Sequence, residues 1–144
     1  MMYGIHKIFY LYPKQNYMNY ITEILILLFL AITFLQSGYD KIADWKGNVG
    51  WLKSHFANTF LGNKVPFSLG LILILEIIAG IFSLTGIYRL LFCDSKDMAL
   101  YAGVVSCITL LFLLFGQRIA KDYDGARTIV IYFIPAIFLV FILR

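Results

Sequence analysis

Charge is scarce in this sequence: 14% of its 144 residues are Asp, Glu, Lys or Arg, against 61% that are hydrophobic. Soluble domains carry roughly 25% charged residues, so an ordinary water-soluble enzyme is excluded. Cysteine is nearly absent. Cys93 and Cys107 are the only two, and they make neither a CxxC pair nor a metal-ligand spacing, which excludes a disulfide-framed secreted module. Histidine is limited to His6 and His55. Neither lies within a long apolar run, which argues against a bis-histidine haem in the membrane, and no grouped ligands point to a metal. No GxGxxG, Walker, HExxH or GxSxG motif occurs, so no residue is assigned a catalytic role. Basic residues outnumber acidic ones by 12 to 8, a formal net charge of +4. They are scattered, with no basic run to track a phosphate backbone, so nucleic acid is not an expected partner and membrane lipid headgroups are.

What the chain has in abundance is long apolar runs. Its mean hydropathy is +0.83, and four blocks approach or exceed the about 20 residues needed to cross a bilayer. The first covers residues 20–37 and carries Glu23 near its start. No small-x-small cleavage pattern follows it, so it reads as a retained anchor. The second covers 67–92, holds Glu76 deep inside and Arg89 toward its far end, and is long enough to require tilt or protrusion. The short polar turn at 93–97 makes the third block, 98–116, its antiparallel neighbour. A mixed-charge connection at 117–127 leads to the fourth, 128–143, in which Pro135 removes one backbone hydrogen bond and is expected to kink the helix. The predicted fold is all-α: a polytopic membrane protein with four transmembrane helices in one bundle and both termini on one side.

The first connection, 38–66, is polar but patterned. Trp45, Trp51, Leu52, Phe56, Phe60 and Leu61 provide an apolar stripe, at roughly helical spacing from Trp51 onward, which predicts an amphipathic helix lying at the membrane interface or capping the bundle. Pro66 sits at the mouth of the second span, where its missing N–H is harmless. Tyr39, Asp40, Lys41 and Asp44 fall just beyond the first span. A Lys41 to Asp44 contact, or pairing with another connection, would close the bundle there. Asp122 and Asp124 read as turn and cap residues. Basic residues of the first and third connections slightly outweigh those of the second connection and termini, favouring connections one and three on the cytoplasmic side.

Glu76 carries most of the chemistry. A carboxyl group amid leucine and isoleucine must face the bundle interior, protonated or paired with a donor from another helix. It shares a helical face with Gly80 and Ser83, a small and slightly polar stripe. Two roles follow, a proton-handling or ligand-anchoring group in an interhelical pocket and a structural hydrogen bond that fixes helix packing. Glu23 and Arg89 are further candidates, each with an interfacial alternative: solvation at the membrane end for Glu23, snorkelling for Arg89.

The stretch Phe34, Leu35, Gln36, Ser37, Gly38, Tyr39, Asp40, Lys41 and Ile42 resembles the end of the first helix in DoxX-like membrane proteins. The stretch from Pro66 through Gly70, Glu76, Ala79 and Gly80 to Gly86 and Arg89 is similar to their second helix, where a glutamate is followed by small residues. Gly38, Lys41, Glu76 and Gly80 are the matching positions. The resemblance implies a single DoxX-like transmembrane domain over 1–144, placed in a bacterial inner (cytoplasmic) membrane. It further implies an integral membrane subunit of a redox assembly, with a protein partner or a second copy of the chain as a homo-oligomer. No cofactor would be intrinsic to the chain; a quinone or other lipophilic ligand would lie between helices, with Glu76 and Lys41 as ligand-binding or proton-handling residues and Gly38 and Gly80 as structural ones. The reading of the spans themselves adds Arg89 and Glu23 to the first group and Ser83 and Pro135 to the second. The alternative is a non-catalytic membrane scaffold, chaperone or lipid-binding protein.

Overall fold

The computed structural model describes residues 17–144; His6, Lys7 and Lys14 lie outside the described residues. A short 3-10 turn, Tyr17–Tyr20, leads into α1 (Ile21–Ala43), α2 (Trp45–His55), a second 3-10 turn (Gly62–Lys64), α3 (Val65–Phe92), α4 (Asp97–Ile119) and α5 (Tyr123–Leu143). Four of these, α1, α3, α4 and α5, are long and apolar enough to cross a membrane. The protein is therefore an all-α integral membrane bundle, with α2 as the amphipathic connector.

The helices pack in chain order: α1 against α3, α3 against α4, and α4 against α5, with a lighter α1 to α5 contact closing the ring. Leu27, Leu30 and Phe34 of α1, Ala79 and Leu90 of α3, Ala102 and Leu110 of α4, and Leu139 of α5 form the core. Outward faces carry Leu25, Ile32, Ile74, Ile81, Leu111, Ile134 and Phe138, all exposed. Helices that are apolar on every side fit lipid around a protein core. With little hydrophobic drive between helices in lipid, close packing through small residues takes over. A Cβ built on Gly86 would lie 2.9 Å from the Cα of Ala99, so α3 and α4 approach backbone to backbone at that point.

The spans extend beyond the boundaries expected from hydropathy. α1 does not stop at Ser37 but continues to Ala43, because Gly38 is a packing residue rather than a terminator: a Cβ there would meet the side-chain end of Ile77 at 2.8 Å. Asp44 ends the helix, and its carboxylate accepts the Gly47 N–H at 3.0 Å to cap α2. α2 is shorter than the apolar stripe, leaving Phe56, Phe60 and Leu61 in the turns that follow. α3 begins at Val65 with Pro66 in its first turn. Its 28 residues span about 42 Å at about 1.5 Å each, longer than a hydrocarbon core of about 30 Å.

α4 runs on to Ile119 and closes with Lys121 in the left-handed region (φ 59°). There the Asp122 N–H bonds the Gln117 carbonyl at 3.0 Å and the Lys121 N–H bonds Arg118 at 3.2 Å. This is the paired bonding that satisfies the last carbonyls of a helix. α5 starts at Tyr123 rather than Thr128, because the Asp122 carboxylate accepts the Gly125 N–H at 2.8 Å and draws the mixed-charge segment into the first turn. Pro135 lies within α5, beside the fully buried Ala136.

Candidate functional site

The longer α1 changes the setting of Lys41, which sits in its last turn instead of in a loop. Ser37 and Lys41 are four residues apart and share one helical face, turned toward Glu76 of α3. The Lys41 ammonium lies 2.9 Å from Glu76 Oε2 and donates to Oε1 at 3.0 Å. It also donates to Ser37 Oγ at 2.7 Å, and Ser37 in turn donates to Glu76 Oε1 at 3.0 Å. Oε1 thus accepts two hydrogen bonds, while Oε2 has the ammonium beside it and no well-aimed donor. Glu76 is 1% exposed, so the pair replaces lost hydration with close geometry and a shared hydroxyl. The expected Lys41 to Asp44 contact does not form, since Asp44 is engaged as the cap of α2.

Lys41 faces two ways. Behind it is Glu76; in front is a cavity of about 320 Å³ between the end of α1, the connection after α2, the first turns of α3 and the last turns of α4. Leu52 and Phe56 border it from the connector, Leu69 and Ile72 from α3, and Phe112 and Leu113 from α4. Its polar fringe is Lys41, Ser68 and Gln117. The volume falls near the lower end of the about 300–1,000 Å³ typical of small-molecule pockets, and an apolar lining with few polar groups is typical of them too. At the rim, His55 Nε2 is 3.4 Å from Gln117 Oε1 and 3.8 Å from Asp122 Oδ2, with Trp51 stacked on the imidazole at 4.6 Å. The link between connections one and three is therefore made by His55, not by Lys41 or Asp44.

The candidate residues divide between the two ends of the bundle. Lys41 and Glu76 meet, whereas Arg89 is about 20 Å farther along α3 at about 1.5 Å per residue. Glu23 lies in the first turn of α1, also at the far end, where a carboxylate suits the helix N-terminus. Neither Arg89 nor Glu23 forms an ion pair among the described residues, and Arg89 Nε is buried without a partner there. Gly38 and Gly80 both lie on the α1 to α3 contact, where a Cβ on Gly80 would come within 2.6 Å of Leu35 Cγ. Ser83 is buried and turns its hydroxyl back to the Ala79 carbonyl at 2.8 Å. Ser37, Ser68 and Gln117 carry no site expectation from the sequence, and Leu52 and Phe56 are expected there only as members of the amphipathic stripe, not as cavity wall. The i to i+4 spacing of Ser37 and Lys41 was the one available signal, masked by reading Gly38 as the end of the helix. Comparison with known proteins gives no match to a family model, to a curated protein or to a solved structure.

Proposed function

We propose that this protein is the integral membrane subunit of a redox assembly and holds a lipophilic, quinone-like ligand in the cavity beside Lys41, a partner subunit supplying the electron carrier. The observation that carries the reading is the ion pair of half-buried Lys41, at the wall of an apolar cavity, with buried Glu76 behind it. Lys41, Ser68 and Gln117 supply hydrogen-bond donors to a ligand carbonyl, which fits the donor set such a ligand needs. A bound quinone would accept electrons. The chain's own part is to hold the ring between Phe56, Leu69 and Phe112 and to keep a protonated amine at its oxygen. Ser37 and Glu76 sit behind that amine and hold it in position.

The DoxX-like reading belongs to the same proposal. Its support is that Gly38, Lys41, Glu76 and Gly80, the positions carrying the resemblance, all lie on one helix contact, that of α1 with α3. A bacterial inner membrane is the location this reading implies. The test is Glu76→Gln together with Lys41→Met in protein purified in native lipid particles. Loss of a co-purifying quinone or of electron transfer, measured per folded protein recovered, is the expected result. Retention of both by both variants refutes the reading. A second reading, a scaffold that docks a partner, draws on α2, which has no buried residue and leaves Trp51 exposed, and on the equally exposed Phe60 beyond it. Recovery of envelope or lipid-handling proteins alone, without a redox subunit, would favour it.

A further inference from the structure

The charge balance of the cavity narrows what it can hold. Among the described residues Lys41 is the only charged one lining it, and Glu76 directly behind already neutralises that charge at 2.9 Å. An anionic headgroup placed against Lys41 would bring a second negative charge into a low-dielectric site that has one cation for two anions. It would also lose its hydration to do so. A neutral carbonyl or ether oxygen meets no such penalty and still finds donors. The Lys41 ammonium has three N–H groups, and beyond Glu76 and Ser37 Oγ its remaining contact is a long 3.4 Å approach to the Ser37 carbonyl. Ser68 makes no side-chain hydrogen bond among the described residues, and it shares the cavity wall with Gln117.

The cavity also has a side that faces lipid. Leu71, Phe112 and Phe115 belong to its wall, yet they are 40%, 48% and 59% exposed on the outer surface of the bundle. They flank the gap between the start of α3 and the end of α4, so the wall there opens on the bilayer. Above, Leu52 and Phe56 cover the cavity from the aqueous side. From Val65 to Ile72 the cavity descends about 10 Å along α3 at about 1.5 Å per residue. That depth and the volume suit one ring or one short chain segment, and a longer tail must leave through the lipid-facing gap.

We infer that the occupant of this cavity is an uncharged amphiphile whose polar end accepts hydrogen bonds from Lys41, Ser68 and Gln117, and that it enters sideways from the bilayer between α3 and α4. This rests on the proposal that the cavity is a ligand site, and it adds the charge class and the route. The two tryptophans of the chain are both near the cavity, Trp51 stacked on His55 and Trp45 within 3.9 Å of the Cβ position of Gly70. They allow a quenching test on the full chain in lipid nanodiscs. The probes are a terminally brominated alkyl methyl ketone and a brominated alkyl sulfonate of equal chain length, both added to the lipid. The expected result is saturable quenching by the ketone, with half-saturation at a mole fraction at least tenfold below that of the sulfonate. Ser68→Phe, which fills the cavity beside Lys41, abolishes the saturable component for the ketone. Glu76→Gln, which unbalances Lys41, improves sulfonate binding at least tenfold. Sulfonate binding equal to or tighter than the ketone in the unmodified protein overturns the charge assignment alone. Unchanged ketone quenching in Ser68→Phe overturns the site and route. Absence of saturable quenching by either probe overturns the ligand-site reading itself.

Discussion

Lys41 and Glu76 show how one residue pair depends on the length of a helix. Glu76 was conspicuous in the sequence because a carboxylate among leucine and isoleucine demands a partner. Its partner was not, because Gly38 and the polar residues after it resemble the end of a span, and a lysine in a loop has no reason to turn inward. Once α1 continues to Ala43, the side chain of Lys41 reaches back to Glu76, with Ser37 bonded to both. Coupling of this kind is measurable. Removing one partner of a buried ion pair costs about 3–5 kcal/mol because the other charge is stranded, whereas removing both together costs far less. Lys41→Met and Glu76→Gln should each destabilise the bundle by more than the double variant does. Reversible unfolding in bicelles, read as a double-mutant cycle, gives the comparison, and additive losses would mean that the two groups do not interact.

At the scale of the helices, hydropathy located the four spans and the ends at Phe92 and Leu143, but not the ends of α1 and α4 or the start of α5, which are set by caps and contacts that hydropathy does not see. Asp44 and Asp122 each cap the helix that follows through an N–H three residues on; the cap role is legible in the sequence for Asp122 but not for Asp44, which reads there as a loop start. The small residues within the spans were legible as a class, yet their individual importance depends on what stands opposite. At Gly38 the neighbour is the flexible end of Ile77, 2.8 Å from a Cβ; at Gly86 it is the Ala99 backbone, 2.9 Å away. An isoleucine terminus can rotate, whereas helix α4 must move as a body. Gly86→Ala is therefore expected to cost about 1–3 kcal/mol, as overpacking does. Gly38→Ala should stay close to neutral, since alanine regains up to about 1 kcal/mol of helix propensity. Thermal unfolding of the two variants side by side tests this ranking, and equal losses would contradict it.

For the molecule as a whole, the four spans place the cavity, connection one and connection three at one end, and the α3–α4 turn at the other. The ion pair alters the charge argument for orientation, because Lys41 is neutralised by Glu76 inside the bundle and no longer acts on the headgroups. What remains at the cavity end is Lys46, Lys53, Lys64, Arg118, Lys121 and Arg127. Among the described residues, Arg89, Lys96 and Arg144 lie at the other end. The balance still leans toward a cytoplasmic cavity end. Cys93 is an exposed thiol on the α3–α4 turn, while Cys107 is buried, so the native chain already carries a one-site topology probe. In intact cells, a membrane-impermeant maleimide is expected to label Cys93. The variant Lys53→Cys, with Cys93 replaced by serine, should label only after the membrane is permeabilised. The reverse pattern would invert the orientation while preserving the bundle, and with it the sideways route to the cavity. Labelling of both positions from the same side would require an even number of crossings between residues 53 and 93, where α3 provides one, and would overturn the four-span topology.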